Sequence, residues 1–339
     1  MSAKIKAYAA ADKGRKLELI EYDPGELGDD QVEIQVSHCG ICHSDLSMIN
    51  NEFGWSTFPI VPGHEVVGKI AALGSHVKHL KAGLQVGLGW FSGSDLTCPQ
   101  CLGGDHNLCR SAEQTIVHRH GGFAQRVRCQ AIWAFPIPDG VDPAKAGPLF
   151  CAGATVFSPM LEFGVKPTDR VGVIGIGGLG HLAVQFLNKW GCEVFAFTSS
   201  DSKQAEVKKF GAHHAVNSKD AAQLGKLAGS LDFIISTVNV GLKWSDYLKT
   251  LAPKGRLHFV GAALEPLGVM PVELLGSQLS ISGTPNGSPA TILKMLEFCA
   301  RHGVEALTET FPMSRVNEAL EHLHAGNARY RLVLTNDIQ

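Results

Sequence analysis

The segment DLTCPQCLGGDHNLC (95–109) carries thiols at Cys98, Cys101 and Cys109, a spacing suited to holding a metal. A structural zinc takes four tetrahedral ligands, so three thiolates leave one place to fill. A second set of chemistry-bearing residues is spread more widely. CGICHSD (39–45) holds Cys42, GHEVVG (63–68) holds His64 next to Glu65, and GPLFCAG (147–153) holds Cys151. Catalytic zinc is held by three ligands of these types, with a further position left open. A third motif is GIGGLG (175–180), where Gly175, Gly177 and Gly180 stand in G-x-G-x-x-G spacing around Gly178 and Leu179. It follows the apolar run RVGVI and opens a helical pattern, the context in which this hexapeptide binds a dinucleotide. Gly175 permits the tight turn, Gly177 lets backbone approach a pyrophosphate at the helix N-terminus, and Gly180 allows close helix–strand packing.

These residues need elements to hold them. Up to about residue 150 the chain reads as β-rich: QVEIQVSH alternates Val32, Ile34 and Val36, and glycines and prolines punctuate it. Beyond that point the pattern changes. RVGVI predicts a buried strand, and the following helix places Leu182, Phe186 and Trp190 on one face. CEVFAF, LDFIIS and GRLHFVG predict further strands, with the helix DSKQAEVKKFG closed by Gly211. Alternating strands and helices predict a doubly wound parallel sheet. After about residue 285 come two helices, PATILKMLEFCARHG and SRVNEALEHLHAG, then the strand YRLVL.

The second strand of this sheet ends in TSSDSK. An NAD site places an acidic residue at such a point to accept from the ribose 2′-OH. Here Thr198, Ser199 and Ser200 are neutral donors and Lys203 is a cation, groups that suit a 2′-phosphate, with Asp201 as the opposing feature. The turn predicts NADPH.

Bulk properties narrow the class. The chain has 339 residues, 45% of them apolar and 18% charged, which predicts a globular protein of two domains. A net charge of −2 without a basic run argues against nucleic acid as a partner. No apolar run is long enough to span a membrane, and the N-terminus lacks a signal-peptide core. A cytoplasmic location is expected, in which the nine cysteines serve as thiols and metal ligands.

Taken together, the motifs resemble those of the zinc-dependent medium-chain alcohol dehydrogenases, in particular the cinnamyl alcohol dehydrogenase-like aldehyde reductases. The signature G-H-E-x2-G-x5-G-x2-V is met by Gly63, His64, Glu65, Gly68, Gly74 and Val77. CGICHSDLSMINNE, AGPLFCAGATVFSPM, VIGIGGLGHLAVQFL and ARYRLVL are similar to the same subfamily, so the resemblance runs from about residue 3 to residue 335. It implies a GroES-like β-rich catalytic domain over 1–152 and 285–339, and a Rossmann cofactor domain over 153–284.

The resemblance also implies roles. Cys42, His64 and Cys151 would hold the catalytic zinc, with Glu65 beside it as a transient ligand. Asp45 would receive the other ring N–H of His64. His43 would approach the cofactor pyrophosphate, and Thr155, Thr237, Val238 and Asn239 would serve the cofactor, the last two near the nicotinamide. Val260 and Ser282 would lie along the same cleft, Arg331 would reach the cofactor from the C-terminal segment, and Trp55 and Trp90 would wall an apolar substrate pocket. In this family a lobe with the pattern C-x2-C-x2-C-x7-C holds a structural zinc. Cys98, Cys101 and Cys109 fill its last three places and Asp95 stands at the first, so Asp95 is the expected fourth ligand. Asp105 and His106, inside the loop, are rivals that need a different loop path.

The implied reaction is reduction of an aldehyde polarised by zinc, with hydride from the nicotinamide. Ser44 would supply the proton, and Ser47 stands where many relatives carry a relay histidine. The expected protein is a two-zinc, NADPH-preferring reductase of aromatic and medium-chain aliphatic aldehydes. It would be a homodimer built through LEPLGVMPVELL (264–275). The rivals are an NAD-linked zinc alcohol or polyol dehydrogenase, a zinc-free quinone reductase on the same fold, and a non-catalytic NADPH-binding sensor.

Overall fold

The structure, a computed structural model, describes residues 4–199 and 203–339. Ser200 and Asp201, two residues of the TSSDSK turn, lie outside the described residues. The chain divides into two compact units, 1–151 with 288–339, and 152–287. The divisions thus fall at 151/152 and 287/288, against the 152/153 and 284/285 expected from sequence.

The first unit is organised on the strand Gln31–Ile41, whose alternating Val32, Ile34 and Val36 are buried. It pairs antiparallel with Glu65–Leu73, Arg126–Gln130 and Arg331–Thr335. Gln85–Leu88 and Phe135–Pro136 extend the sheet on one side, and Thr308–Pro312 extends it on the other, parallel to Arg331–Thr335. Glu33 points away from the Val32 face yet is buried, because Arg126 and Arg128 clamp its carboxylate at 2.7 and 2.8 Å. The register matters most at one end of this sheet. Gly40 stands opposite both Glu65 and Val333, and Ile41 opposite Leu332. Cys42, Glu65 and Arg331 therefore issue from neighbouring strand ends. A Cβ on Gly40 would run into the Glu65 carboxylate, so this close approach requires glycine.

The second unit is a six-stranded parallel sheet, in agreement with the alternating pattern of the sequence. Its spatial order is His214–Asn217, Glu193–Thr198, Arg170–Ile174, Leu231–Ser236, Leu251–Phe259 and Ser280–Gly283. In chain order this is 3-2-1-4-5-6. The three central strands Glu193–Thr198, Arg170–Ile174 and Leu231–Ser236 are mostly apolar and buried, as expected for a sheet covered on both faces. Ile174, Phe195, Phe197, Leu231, Ile234 and Leu257 pack with Trp244, Tyr247 and Leu248 in one cluster. The order reverses between Arg170–Ile174 and Leu231–Ser236, the place where doubly wound sheets bind ligands.

A buried histidine braces the last two strands of this sheet. His258 is fully buried, with Nδ1 2.9 Å from Ser282 Oγ and Nε2 3.0 Å from Thr284 Oγ1. Its ring lies 5.0 Å from that of Phe163 and 5.8 Å from that of Phe233. Burial, reinforced by the Arg256 charge, pulls its pKa from 6.5 down to about 4. The unfolded chain therefore takes up this proton first, so stability is complete above about pH 6.5 and declines down to about pH 4. The full loss is about 3 kcal/mol. Urea unfolding between pH 7.5 and 4.5 should show this decline, and His258→Gln should flatten it. An equally steep decline in the variant would rule His258 out as its source.

Candidate active site and metal centres

Cys42 is the N-cap of the short helix His43–Ile49, which the end of the sheet feeds directly. Asp45, in its first turn, is fully buried and uses both oxygens. Oδ2 accepts from the Cys42 N–H at 2.8 Å, while Oδ1 accepts from the Gly63 N–H at 2.9 Å and faces His64 Nδ1 at 3.0 Å. A carboxylate at Nδ1 keeps a proton there and turns Nε2 into the ligating atom. Nε2 lies 3.3 Å from Cys151 Sγ, which lies 3.9 Å from Cys42 Sγ. Sulfur at about 2.3 Å and nitrogen at about 2.0 Å from a tetrahedral centre stand roughly 3.5–3.8 Å apart. The observed separations come within a few tenths of these edges. Ligand atoms of Cys42, His64, Glu65 and Cys151 all lie within 4.8 Å of one another.

Electrostatics at this cluster suit a cation. One oxygen of Glu65 is held by the Arg331 guanidinium, while Oε2 is buried without a partner. Leaving a charged acceptor unpaired is costly, and a metal ion beside the thiols would meet it. Burial raises the Glu65 pKa and Arg331 pulls it back, with a net rise. The Cys42 thiol is held well below its usual range, first by the neighbouring Cys151, which is pushed up in turn. Burial alone would lower His64, but Asp45 outweighs it and the ring is held well above its usual range. The protons kept by Cys151 and by His64 Nε2 are those that a divalent cation displaces on binding. The donor set and its spacing therefore fit zinc.

Around the cluster the expected residues divide. Ser44 Oγ is 3.7 Å from Cys42 Sγ. The Trp90 ring stands T-shaped to His64 at 5.0 Å. Trp55 is instead 56% exposed, with its ring 5.4 Å from Phe53. His43 is exposed at the start of its helix. Arg331, which the resemblance would bring to the cofactor, is buried with its guanidinium against Glu65. Ser47 is buried and donates to Glu52 Oε2 at 2.7 Å. Glu52 closes the segment CGICHSDLSMINNE, but its type and spacing alone assign it no role.

The lobe cysteines form a second cluster. Ligand atoms of Asp95, Cys98, Cys101 and Cys109 lie within 4.8 Å of one another. Asp95 Oδ1 accepts from the N–H groups of Thr97 and Cys98, both at 2.8 Å, which fixes the carboxylate beside the thiols. These two bonds, the Cys98 one foremost, hold the Asp95 carboxyl far below its usual range. Neither rival joins this group. Asp105 stands at the N-terminal end of the short turn His106–Leu108 without a side-chain cap bond, and His106 is engaged with Ser94 Oγ at 3.1 Å and with the Trp133 ring. Three soft thiolates and a carboxylate are a donor set that zinc accepts.

In the second unit the glycine turn sits at the switch point. Gly175 has φ +86°, and a Cβ there would stand 2.5 Å from Val238 and 3.0 Å from Thr237 Oγ1. A Cβ on Gly180 would run into the Gly175 carbonyl, whereas one on Gly177 would meet nothing within 4 Å. Open space thus lies beside Gly177, ahead of the helix Gly180–Trp190, whose N-cap Leu179 makes no side-chain cap bond. That end is suited to an anion. Thr237 is tied to the turn through Oγ1, which donates to the Gly175 carbonyl at 2.6 Å, and the Val260 N–H donates to Ser236 at 3.0 Å. Asn239 is exposed, Thr155 is half-buried on Ala152–Glu162, and Ser282 is engaged by His258. Thr198 is buried at its strand end, while Ser199 and Lys203 are exposed on either side of the undescribed turn.

Comparison with known proteins agrees with this geometry. Residues 28–139 match the alcohol dehydrogenase GroES-like domain, and residues 178–301 match the zinc-binding dehydrogenase family. The aldehyde reductase AdhA of Synechocystis is 56% identical over 98% of this chain and 99% of its own length. The chain belongs to the zinc-dependent medium-chain alcohol dehydrogenases. Its relatives in that family include cinnamyl alcohol dehydrogenases. The Sorghum bicolor enzyme SbCAD4 superposes with a TM-score of 0.94 at 37% identity, covering 98% of each chain. The CAD of Helicobacter pylori, solved with NADP(H), superposes at 0.89 with 27% identity over 99% of each chain. As a member of this family the protein is an oxidoreductase of the alcohol dehydrogenase and aldehyde reductase type. Among the described residues, no helix is long and apolar enough to cross a membrane.

Proposed function

We propose that the protein is an NADPH-preferring reductase of aromatic and medium-chain aliphatic aldehydes that also oxidises the corresponding primary alcohols. The observation that carries this reading is the buried Cys42–His64–Glu65–Cys151 cluster with Ser44 at its edge. Cys42, His64 and Cys151 would hold the catalytic zinc, and Asp95, Cys98, Cys101 and Cys109 a structural one. When bound, the catalytic zinc supplies Lewis acidity toward a carbonyl oxygen, and the nicotinamide supplies hydride.

The chain's own residues do the rest. Asp45 fixes the His64 tautomer and, through the Cys42 N–H, the entry into the helix. Arg331 holds Glu65, leaving Oε2 as a further carboxylate donor behind the three ligands. Ser44 would pass a proton to the product oxygen during reduction while being reprotonated from a second hydroxyl or water, and would run the same exchange in reverse during oxidation. Trp90 gives the site an apolar wall, which suits a flat substrate. Gly175, Gly177, Gly178, Leu179 and Gly180 would seat the pyrophosphate. Thr155, Thr237, Val238, Asn239, Val260 and Ser282 serve the cofactor at and beyond the switch point. Thr198, Ser199, Ser200 and Lys203 receive the 2′-phosphate.

Two further readings have support on the surface and in the thiols. Leu264, Met270, Val272 and Leu275 are each more than 60% exposed, beside the sheet-edge strand Ser280–Gly283, a combination suited to a homodimer. The cysteines are in the thiol state, in keeping with the cytoplasmic location we propose.

Initial rates with cinnamaldehyde and benzaldehyde test the reading. We expect kcat/KM with NADPH to exceed that with NADH by at least about tenfold, the effect of a charge-assisted phosphate contact. A metal chelator should abolish turnover. Equal or better performance with NADH would sink the cofactor assignment, and turnover indifferent to the chelator would sink the metal mechanism.

A further inference from the structure

The lobe cluster differs chemically at each of its corners. Cys101 and Cys109 are buried and Cys98 is half-buried, whereas Asp95 is exposed. The carboxylate is held beside the thiols by the N–H groups of Thr97 and Cys98, both 2.8 Å from Oδ1. Of the two rivals inside the loop, His106 is engaged with Ser94 and Trp133, and Asp105 stands outside the cluster. Thiolate sulfur is a soft donor that suits zinc, while carboxylate oxygen is a hard donor of the kind that hydrated cations such as magnesium and calcium prefer. The corner that water reaches is thus also the corner with the weakest preference for zinc.

We propose that Asp95 is the exchange corner of a labile zinc site. Zinc enters and leaves the lobe when water or a chelator displaces the Asp95 carboxylate, and a fourth thiolate at this position would trap it. The loop 95–109 is then braced only when zinc is supplied, so lobe occupancy follows the zinc available to the protein. This inference rests on the assignment of the cluster as a zinc site, and its test separates the two.

Zinc content and release are measured on metal-replete protein, with 4-(2-pyridylazo)resorcinol as the competing chelator. Cys109→Ser identifies the release phase that belongs to the lobe. In Asp95→Cys that phase should slow by at least about tenfold, the smaller end of what loss of even an outer-sphere partner costs a metal site. In Asp95→Asn, which keeps an oxygen for the Thr97 and Cys98 N–H groups but loses the charge, it should quicken. The Asn variant keeps the test decisive if the Cys variant fails to fold. A lobe phase of unchanged rate in these variants overturns the proposal. If the wild type carries only the zinc that Cys42→Ala lacks, and all three lobe thiols react with a thiol reagent, the zinc assignment itself falls.

Discussion

Cys42→Ala should fold normally, bind about one metal ion fewer per chain and lose aldehyde reduction by at least about 10³-fold in kcat/KM. The expectation that it folds comes from the hydrogen bonds around the position. Asp45 Oδ2 holds the backbone N–H of Cys42, not its sulfur, so the link between strand and helix survives the substitution. What disappears is one corner of the Cys42–His64–Cys151 set, leaving two ligands and a buried carboxylate. Several kcal/mol of stabilisation of the developing charge go with the metal, which sets the size of the rate loss. Cys39→Ala is the matched control. Cys39 is also buried, but its thiol faces the Gly40 carbonyl at 3.6 Å and stands outside the cluster. It should lose stability on the scale of a trimmed core residue and keep its full metal content. Atomic-absorption stoichiometry on both variants decides the matter. Full metal content in Cys42→Ala, or metal loss in Cys39→Ala, would show the ligand set to be wrong.

The contrast between these two cysteines also shows what the sequence makes legible. The family resemblance singles out Cys42, His64 and Cys151, and the fold brings their ligand atoms together. The parallel sheet is legible because burial on both faces leaves strands such as LDFIIS almost wholly apolar. Thr308–Pro312 is not legible as a strand, since TETFP is polar and half-exposed at the sheet edge and only its pairing with Arg331–Thr335 makes it one. The clamp of Arg126 and Arg128 on Glu33 escapes the sequence for the same reason, because partners some 93 and 95 residues apart meet only through register. Arg331 is the instructive case. Its motif ARYRLVL marks it as a site residue, but only the antiparallel pairing of its strand with Gln31–Ile41 brings it against Glu65. Asp95 is legible in its spacing, while the exposure that sets its chemistry comes from the folded loop.

Ser44 and Ser47 are chemically identical, three residues apart in one short helix, and should respond oppositely to alanine. Ser44 Oγ stands at the edge of the cluster, 3.7 Å from Cys42 Sγ. Its hydroxyl would donate to the product oxygen while accepting from a second hydroxyl or water. Removing a positioned proton donor costs about 10²–10⁴-fold in rate, so Ser44→Ala should lose kcat on that scale with little change in KM for the nicotinamide. Ser44→Thr, which keeps the hydroxyl, should recover most of it. Ser47 Oγ is already committed, donating to Glu52 Oε2 at 2.7 Å, and Glu52 is further held by Asn50 at 3.2 Å. Ser47→Ala should therefore forfeit a hydrogen bond to a charged partner, about 1.5–3 kcal/mol of stability at most, and leave kcat near that of the wild type. Equal losses at the two positions would mean that the proton leaves through Ser47 and Glu52. Wild-type kcat in Ser44→Ala would mean that solvent, rather than the helix, supplies the proton.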